Sequence, residues 1–146
     1  MTRLLPVKSI LPRLQEKFPG AITKATDEYI VLRSPSLLEV CNYLKTSPDL
    51  GFDYLTCLSG VDYLDYLEVV YHLASLTNNH SLVLKVRCYD RDKAQVPSVY
   101  GIWRGADLQE REAYDLLGIE FIGHPFLRRL FMWEGFQGHP LRKDYL

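Results

Sequence analysis

The residues best suited to chemistry in this chain of 146 residues lie in its last third. Two copies of one short pattern stand there, Gly-His-Pro-Phe-Leu-Arg-Arg at 123–129 and Gly-His-Pro-Leu-Arg-Lys at 138–143. Proline cannot continue a helix and pushes the residue before it into extended backbone, so each histidine is held on non-helical chain with two cations downstream. The pattern predicts an extended ribbon that another surface must hold, because a chain end normally frays.

The carboxylates and imidazoles of this region are residue types that bind metal ions. No two histidines share a helix at positions i and i+4, and no cysteine lies near them, which disfavours a zinc site. No serine or cysteine in a nucleophile signature accompanies them, which disfavours covalent catalysis. A stand-alone metal-dependent enzyme that uses Glu112, His124 and His139 remains the alternative. The candidate ligands are Glu110, Glu112, Asp115, His124, His139 and Asp144.

Ion pairing is the interpretation that these charged residues favour. Arg111 and Asp115 stand four residues apart on a predicted helix, which suits a pair along one face. Glu112 then points elsewhere and needs a partner from outside the helix. The alternative is a charged helix that is only solvated.

The tail supplies cations for such pairs. Arg128, Arg129 and Arg142 carry planar guanidinium groups, which engage a carboxylate through two parallel hydrogen bonds. Aromatic side chains and arginines are dense in the same segment, a composition typical of protein interfaces. The predicted partner interface comprises Glu110, Arg111, Glu112, Asp115, His124, Arg128, Arg129, Trp133, His139, Arg142, Lys143 and Asp144.

The three cysteines do not form a cofactor motif. Cys41, Cys57 and Cys88 are 16 and 31 residues apart, whereas iron–sulfur clusters need some ligands two to four residues apart. No Gly-x-Gly-x-x-Gly follows a predicted strand, so no nucleotide or flavin motif is visible. We therefore expect free thiols in a reducing compartment and no cofactor in this chain.

The elements that position the tail begin with a helix and a hairpin. Ser9 is suited to cap the helix, Pro12 fits its first turn, and Pro19 follows its end. Two strands, 21–25 and 29–33, flank a polar turn and predict a β-hairpin.

A second helix and three strands follow. Ser36 and Glu39 have the spacing of a capping box, and this helix ends near Ser47. Strands are predicted at 54–61, 67–73 and 82–88, and the last two alternate apolar and polar residues around a loop, which predicts antiparallel pairing. The order α-β-β-α-β-β-β indicates a two-layer α+β domain with a mixed sheet.

The end of the chain is predicted to differ from this core. Residues 1–97 form the α+β core domain, and residues 98–146 add a short helix and the extended tail. The helix is Ala106 to Leu117, closed by Gly118, and no helical or strand period follows it. We therefore expect the tail to make few contacts with its own domain.

Composition excludes some functions. With 47% hydrophobic and 24% charged residues, the chain is ordinary for a globular domain. A net charge of −1 gives no general attraction to nucleic acid. No apolar run approaches the roughly 18 to 20 residues that span a bilayer, so we expect a soluble protein.

The last third of the chain contains the run Glu-Arg-Glu-Ala-Tyr-Asp-Leu-Leu-Gly-Ile-Glu-Phe at 110–121, both Gly-His-Pro copies, and Arg-Lys-Asp-Tyr at 142–145. These segments resemble the 30 kDa subunit family of respiratory complex I, whose bacterial members are its C-type subunits. Val61-Asp62-Tyr63, 70–73 and 96–99 also look like this family. The resemblance covers most of the chain, and its C-terminal third is highly specific.

This resemblance implies a cofactorless subunit in the peripheral arm of a proton-translocating NADH:quinone oxidoreductase. Its tail would wrap along the 49 kDa-type subunit that lines the quinone cavity, near the subunit that carries the terminal cluster. FMN, iron–sulfur clusters and quinone would belong to partner subunits, on the cytoplasmic face of the cell membrane. Related subunits of membrane-bound hydrogenases and of ferredoxin-fed or deazaflavin-fed quinone reductases are the alternative, so the electron donor stays open.

Overall fold

The computed structural model describes residues 3–128 and 138–143. Its helices are α1 (Val7–Lys17), α2 (Leu37–Thr46) and α3 (Ala106–Leu117), and a 3₁₀ turn spans Ser34–Ser36. The strands are β1 (Arg3–Leu4), β2 (Ile22–Ala25), β3 (Tyr29–Leu32), β4 (Tyr54–Asp62), β5 (Leu67–Ser75), β6 (His80–Cys88), β7 (Gln95–Pro97) and β8 (Glu120–Ile122). No helix in the described part of the chain is long and apolar enough to cross a membrane.

One mixed sheet forms the frame of the domain. Its strand order is β2-β3-β6-β5-β4, and β1 also pairs with β6. The pairs β2–β3, β4–β5 and β5–β6 are antiparallel, whereas β3 and β1 run parallel to β6. A separate two-stranded parallel pair joins β7 to β8. The predicted α+β class and the antiparallel β5–β6 pair are confirmed.

All three helices contribute to one core on the same face of this sheet. Alternate residues of β6, from Leu82 to Cys88, are buried there, as the period of two requires. Ile10, Leu37 and Leu117 bring the three helices into the same cluster. The thiols are free, as predicted, and burial raises the pKa of Cys88 to about 11.

The starts of the first two helices differ from the predictions. Helix α1 begins at Val7 with Pro6 at its N-cap, so Pro12 is the sixth helical residue rather than part of the first turn. The Ser9 hydroxyl donates to the Pro6 carbonyl (2.6 Å) instead of accepting a cap bond. Ser36 is the N-cap residue of α2 but makes no side-chain cap bond, because a 3₁₀ turn keeps its backbone helical. The capping box is therefore absent.

Strand β8 contradicts the prediction that no strand follows Gly118. A three-residue strand is too short to display a period, and its pairing depends on β7, which is far away in sequence. Val96 pairs with Phe121, and both side chains are buried. Ile119 and Phe121 belong to the common core cluster, as do Val99 and Trp103. The part of 98–146 up to Phe121 therefore packs with the core.

Candidate partner-binding site around the last helix

Helix α3 has the predicted bounds and lies against strand β4. Gly60 in β4 makes this close approach possible, because a Cβ there would overlap the Leu117 side chain. At the end of the helix, Gly118 adopts φ +78° and its N–H donates to the Tyr114 carbonyl (2.9 Å). This left-handed closure is the one that the sequence predicts.

The first Gly-His-Pro copy contacts the start of α3. Gly123 turns the chain with φ +88°. His124 Nε2 then lies 3.2 Å from the Asp107 carbonyl oxygen and 3.1 Å from the Asp107 carboxylate. The Phe126 N–H donates to His124 Nδ1 (3.0 Å), which leaves Nε2 to face Asp107. The imidazole is fully buried, so it acts as a fixed contact between the tail and α3.

The second copy contacts the other end of the same helix. Gly138 repeats the backbone conformation of the first copy, with φ +89°. His139 Nδ1 lies 3.0 Å from the Asp115 carbonyl oxygen, and the Leu141 N–H donates to the Leu116 carbonyl (2.9 Å). Arg142 Nε donates to the Leu117 carbonyl (2.5 Å). These carbonyls belong to the last turn, where intrahelical partners are missing and a cation is favourable.

Asp62 links the end of β4 to both the β6–β7 loop and the tail. Arg91 donates to its two carboxylate oxygens at 2.6 and 2.8 Å, and the Leu64 and Lys143 N–H groups add bonds at 2.7 and 2.8 Å. The bond from Arg91 holds the pKa of Asp62 well below its usual value. Arg142 also donates to the Arg91 carbonyl (2.8 Å). Residues 138–143 are thereby attached to a buried ion pair.

Glu110 is buried and does not pair with an arginine in the described part of the chain. Its carboxylate accepts bonds from the Ser98 hydroxyl (2.6 Å) and the Val99 N–H (2.9 Å). His124 Nε2 lies 3.9 Å away. Burial raises the pKa of Glu110 to about 7, against the opposing effect of the two hydrogen bonds, and nearby Asp107 raises it further. Glu110 therefore ties the loop before α3 to the helix.

The other predicted interface residues divide by exposure. Glu112, Arg128 and Lys143 are exposed, whereas Asp115 is fully buried. Arg111 is partly buried, and its Nε makes no hydrogen bond within the described residues. Arg129, Trp133 and Asp144 lie outside the described residues. In the described ranges, no group of three or more His, Cys, Asp and Glu side chains is arranged to hold a metal ion.

The prediction that the tail makes few contacts with its own domain is wrong for 119–128 and 138–143. Sequence period reveals regular structure, but these segments are held by side-chain and backbone bonds to the ends of α3 and by the pairing of β8 with β7. Sequence reasoning also missed the pairing of Asp62 with Arg91. Its only signal was the motif Val61-Asp62-Tyr63, because the two partners lie 29 residues apart.

A solved structure shares this fold. It is a chain of the membrane-bound sulfane sulfur reductase, an archaeal respiratory membrane complex, with a TM-score of 0.75 and 25% sequence identity. The alignment covers 94% of this chain and 84% of that one. The chain therefore has the α+β fold of a subunit found in that respiratory membrane complex.

Sequence comparison identifies the family. The profile of the respiratory-chain NADH dehydrogenase 30 kDa subunit matches residues 30–146, and the chain belongs to this family. It is 43% identical over 143 residues to the C-type subunit of NADH-quinone oxidoreductase from Roseiflexus sp. RS-1, covering 93% of this chain and 82% of the relative. A C-type subunit of the same enzyme from Rhizobium etli is 46% identical over 112 residues, or 75% of this chain and 59% of that protein. The predicted family is confirmed.

Proposed function

We propose that this chain is a cofactorless subunit in the peripheral arm of a proton-translocating NADH:quinone oxidoreductase. Its role is to hold the 49 kDa-type subunit of the quinone cavity and the subunit of the terminal cluster in place. The complex transfers electrons from NADH to quinone, with FMN, clusters and quinone bound by partners. The chain lies on the cytoplasmic face of the cell membrane through these partners.

The observation that carries the scaffold role is the apolar surface around α3. Leu108, Ile122, Phe126 and Leu141 expose 56%, 48%, 54% and 58% of their area. We call these four residues the α3 platform. Exposed apolar side chains on α3 and on the segments bound to it are surface that a protein partner can cover. Contacts of His124, His139 and Arg142 with α3 hold the tail backbone that carries three of the four residues, so the platform is preorganised for a partner.

A small groove beside the platform adds a polar contact. It encloses about 90 Å³ between β4 and α3, and Leu58, Leu116 and Leu141 form part of its lining. Exposed Glu112 stands at the same groove. An apolar side chain next to a cation on the partner would match this arrangement, which agrees with the predicted role of Glu112 as a spare carboxylate.

The degree of sequence similarity to known relatives supports NADH as the electron donor of the complex. Identity to named NADH-quinone oxidoreductase subunits reaches 43% over most of the chain, against 25% for the sulfane sulfur reductase chain. The donor can be tested by purifying the complex through an affinity tag on this chain. We expect quinone reduction with NADH, and reduction with ferredoxin alone would favour the alternative complex.

The scaffold role can be tested by placing a charge on the platform. Leu108→Glu and Leu141→Glu should leave the melting temperature of the isolated chain nearly unchanged and sharply reduce its incorporation into the complex on native gels. Leu76→Glu is the matched control, since Leu76 is 68% exposed in the β5–β6 turn. Equal losses of monomer stability and assembly would show that the platform serves the fold. Full assembly of both variants would refute the proposal.

The absence of a resident cofactor needs its own test. Metal analysis and an absorption spectrum of the purified chain should show no stoichiometric metal, flavin or cluster. Stoichiometric zinc or iron retained after dialysis would favour the metal-dependent enzyme instead. In that case His124→Ala should lower turnover per molecule by about 10² to 10⁴-fold, as loss of a catalytic acid or base does.

A further inference from the structure

The six-stranded sheet has a second face, opposite the helices, which we call the open face. Strand register places Val70 between Ser59 of β4 and Lys85 of β6, and His72 opposite Val83. These residues alternate with the core residues of the same strands, so they point away from the helices.

The open face has an apolar centre. Val31, Val70 and Ala74 are 2%, 9% and 6% exposed, although they lie outside the core cluster. Neighbouring side chains of the same sheet face are therefore what shields them. His72 and Ser59 beside them are exposed. The apolar centre is thus covered, and the face is open to a partner at His72 and Ser59.

Charge on this face is unbalanced. Glu68 is fully buried, with Arg87 Nε at 3.0 Å and Lys85 Nζ at 3.5 Å from its two oxygens. Lys24 lies on the same face through its pairing with Val31 and is exposed. Three cations thus face a single carboxylate. The excess positive charge favours an anionic partner.

Aromatic rings hold two of these cations in position. Lys85 Nζ lies 3.9 Å from the centre of the Tyr29 ring, and the Arg87 guanidinium lies 4.7 Å from the centre of the Tyr66 ring. Such cation–π contacts restrict long side chains that would otherwise move freely. Preorganised arginine and tyrosine side chains are typical of the residues that dominate binding energy at interfaces.

A pocket adjoins the basic end of this face. It encloses about 240 Å³, and its lining includes Arg33, Arg87 and Tyr89 beside apolar Val31 and Pro35. Arg33 is exposed and continues the chain from β3. Exposed Arg33 beside this apolar floor suits a carboxylate on a short side chain, because arginine binds carboxylates through paired hydrogen bonds. Arg87, which is already paired with Glu68, adds positive charge to the pocket.

We propose that the open face binds an acidic segment of a neighbouring subunit, with one carboxylate in the pocket lined by Arg33 and Arg87 and the rest of the segment along exposed His72 and Ser59. The proposal rests on the proposed function, because the partner is a subunit of the same complex. It adds a second interface, distinct in its residues from the α3 platform.

Photocross-linking in the assembled complex tests this surface. A benzoylphenylalanine is placed at His72, and the cross-linked peptide is identified by mass spectrometry. A second variant of the protein carries benzoylphenylalanine at exposed Glu39 on α2, a control position away from the open face. We expect His72 to cross-link to a partner segment rich in Asp and Glu, and Glu39 to give a different product or none.

Charge reversal then tests whether electrostatics holds that segment. The Lys24→Glu/Arg33→Glu double variant should lower the His72 cross-link about tenfold, and higher salt should lower it further because exposed charges are screened. Lys8→Glu/Lys17→Glu on α1 makes the same change in net charge and should leave the yield unchanged. Replacing the acidic residues of the cross-linked segment by lysine should restore the yield with the open-face variant.

Each other outcome overturns the proposal. A cross-link to a neutral or basic segment, to a second copy of this chain, to lipid or to nucleic acid would name a different occupant. An assembled complex without any cross-link at His72 would show that the face is free. These results are distinguishable from failure of the proposed function, in which the wild-type chain would not enter an NADH:quinone oxidoreductase.

Discussion

The burial of Glu110 predicts a specific dependence of stability on pH. Its pKa is raised from 4.5 to about 7 in the folded chain, chiefly because burial disfavours the charged form. The folded state therefore binds more protons than the unfolded state between these values. The free energy of unfolding must fall as pH rises through this range, and the contribution of Glu110 is fully present only below about 4.5.

The size of the effect follows from the same two numbers. A shift of one pKa unit corresponds to about 1.4 kcal/mol, so the shift of Glu110 predicts a loss of about 3 kcal/mol between pH 4.5 and pH 8. Glu110→Gln should remove this loss, because an amide stays neutral. Its oxygen can still accept the Val99 N–H bond.

Urea denaturation of wild type and variant at pH 4.5, 6, 7 and 8 measures this difference. We expect the stability of Glu110→Gln relative to wild type to increase by about 3 kcal/mol across the series. Glu112→Gln, which removes an exposed carboxylate from the same helix, should retain the wild-type pH dependence. A stability difference between Glu110→Gln and wild type that stays constant with pH would refute the reasoning.

Three further predictions concern the attachment of the tail to α3. Gly118→Ala should destabilise the chain by more than the roughly 1 to 2 kcal/mol that a left-handed alanine costs, since the added Cβ would lie 2.7 Å from the His139 ring. Gly20→Ala is the control, because Gly20 has the same φ of +78° but open space around it. Comparing the thermal unfolding of the two variants therefore isolates the effect of the His139 contact. Arg142→Ala should cost about 1.5 to 3 kcal/mol in urea titrations by losing two charged hydrogen bonds, whereas Lys143→Ala should change little because only its backbone bonds to Asp62. Asp62→Asn should destabilise the chain at neutral pH. The stability difference between variant and wild type should shrink as acid protonates wild-type Asp62, whose pKa is lowered by Arg91. A stability difference that grows on acidification would contradict the ion pair of Asp62 with Arg91.

The repeated Gly-His-Pro pattern acquires a physical meaning from these contacts. Both glycines adopt the same left-handed backbone, and both histidines then bond to carbonyls of α3, one at its first turn and one at its last. The tail thereby brackets a single helix. We therefore expect binding of a partner to the proposed α3 platform to stabilise the helix.

Local sequence patterns determined most of the fold. The apolar period and the closing glycine were sufficient for the bounds of α3, because both act within a few residues. The alternation of apolar and polar residues in β6, together with the loop before it, was sufficient to predict the antiparallel β5–β6 pair. The residues of the last third also pointed to a protein interface and, through resemblance, to the family.

Only the tertiary structure decided what the charged residues do. Glu110 has the sequence character of a surface carboxylate, yet burial against Ser98 and Val99 gives it a pKa near 7. Lys143 reaches Asp62 across 81 positions, a contact that no local period records. Strand β8 likewise exists because β7 pairs with it. These features depend on which distant groups share one space, and that is fixed by packing of the whole domain.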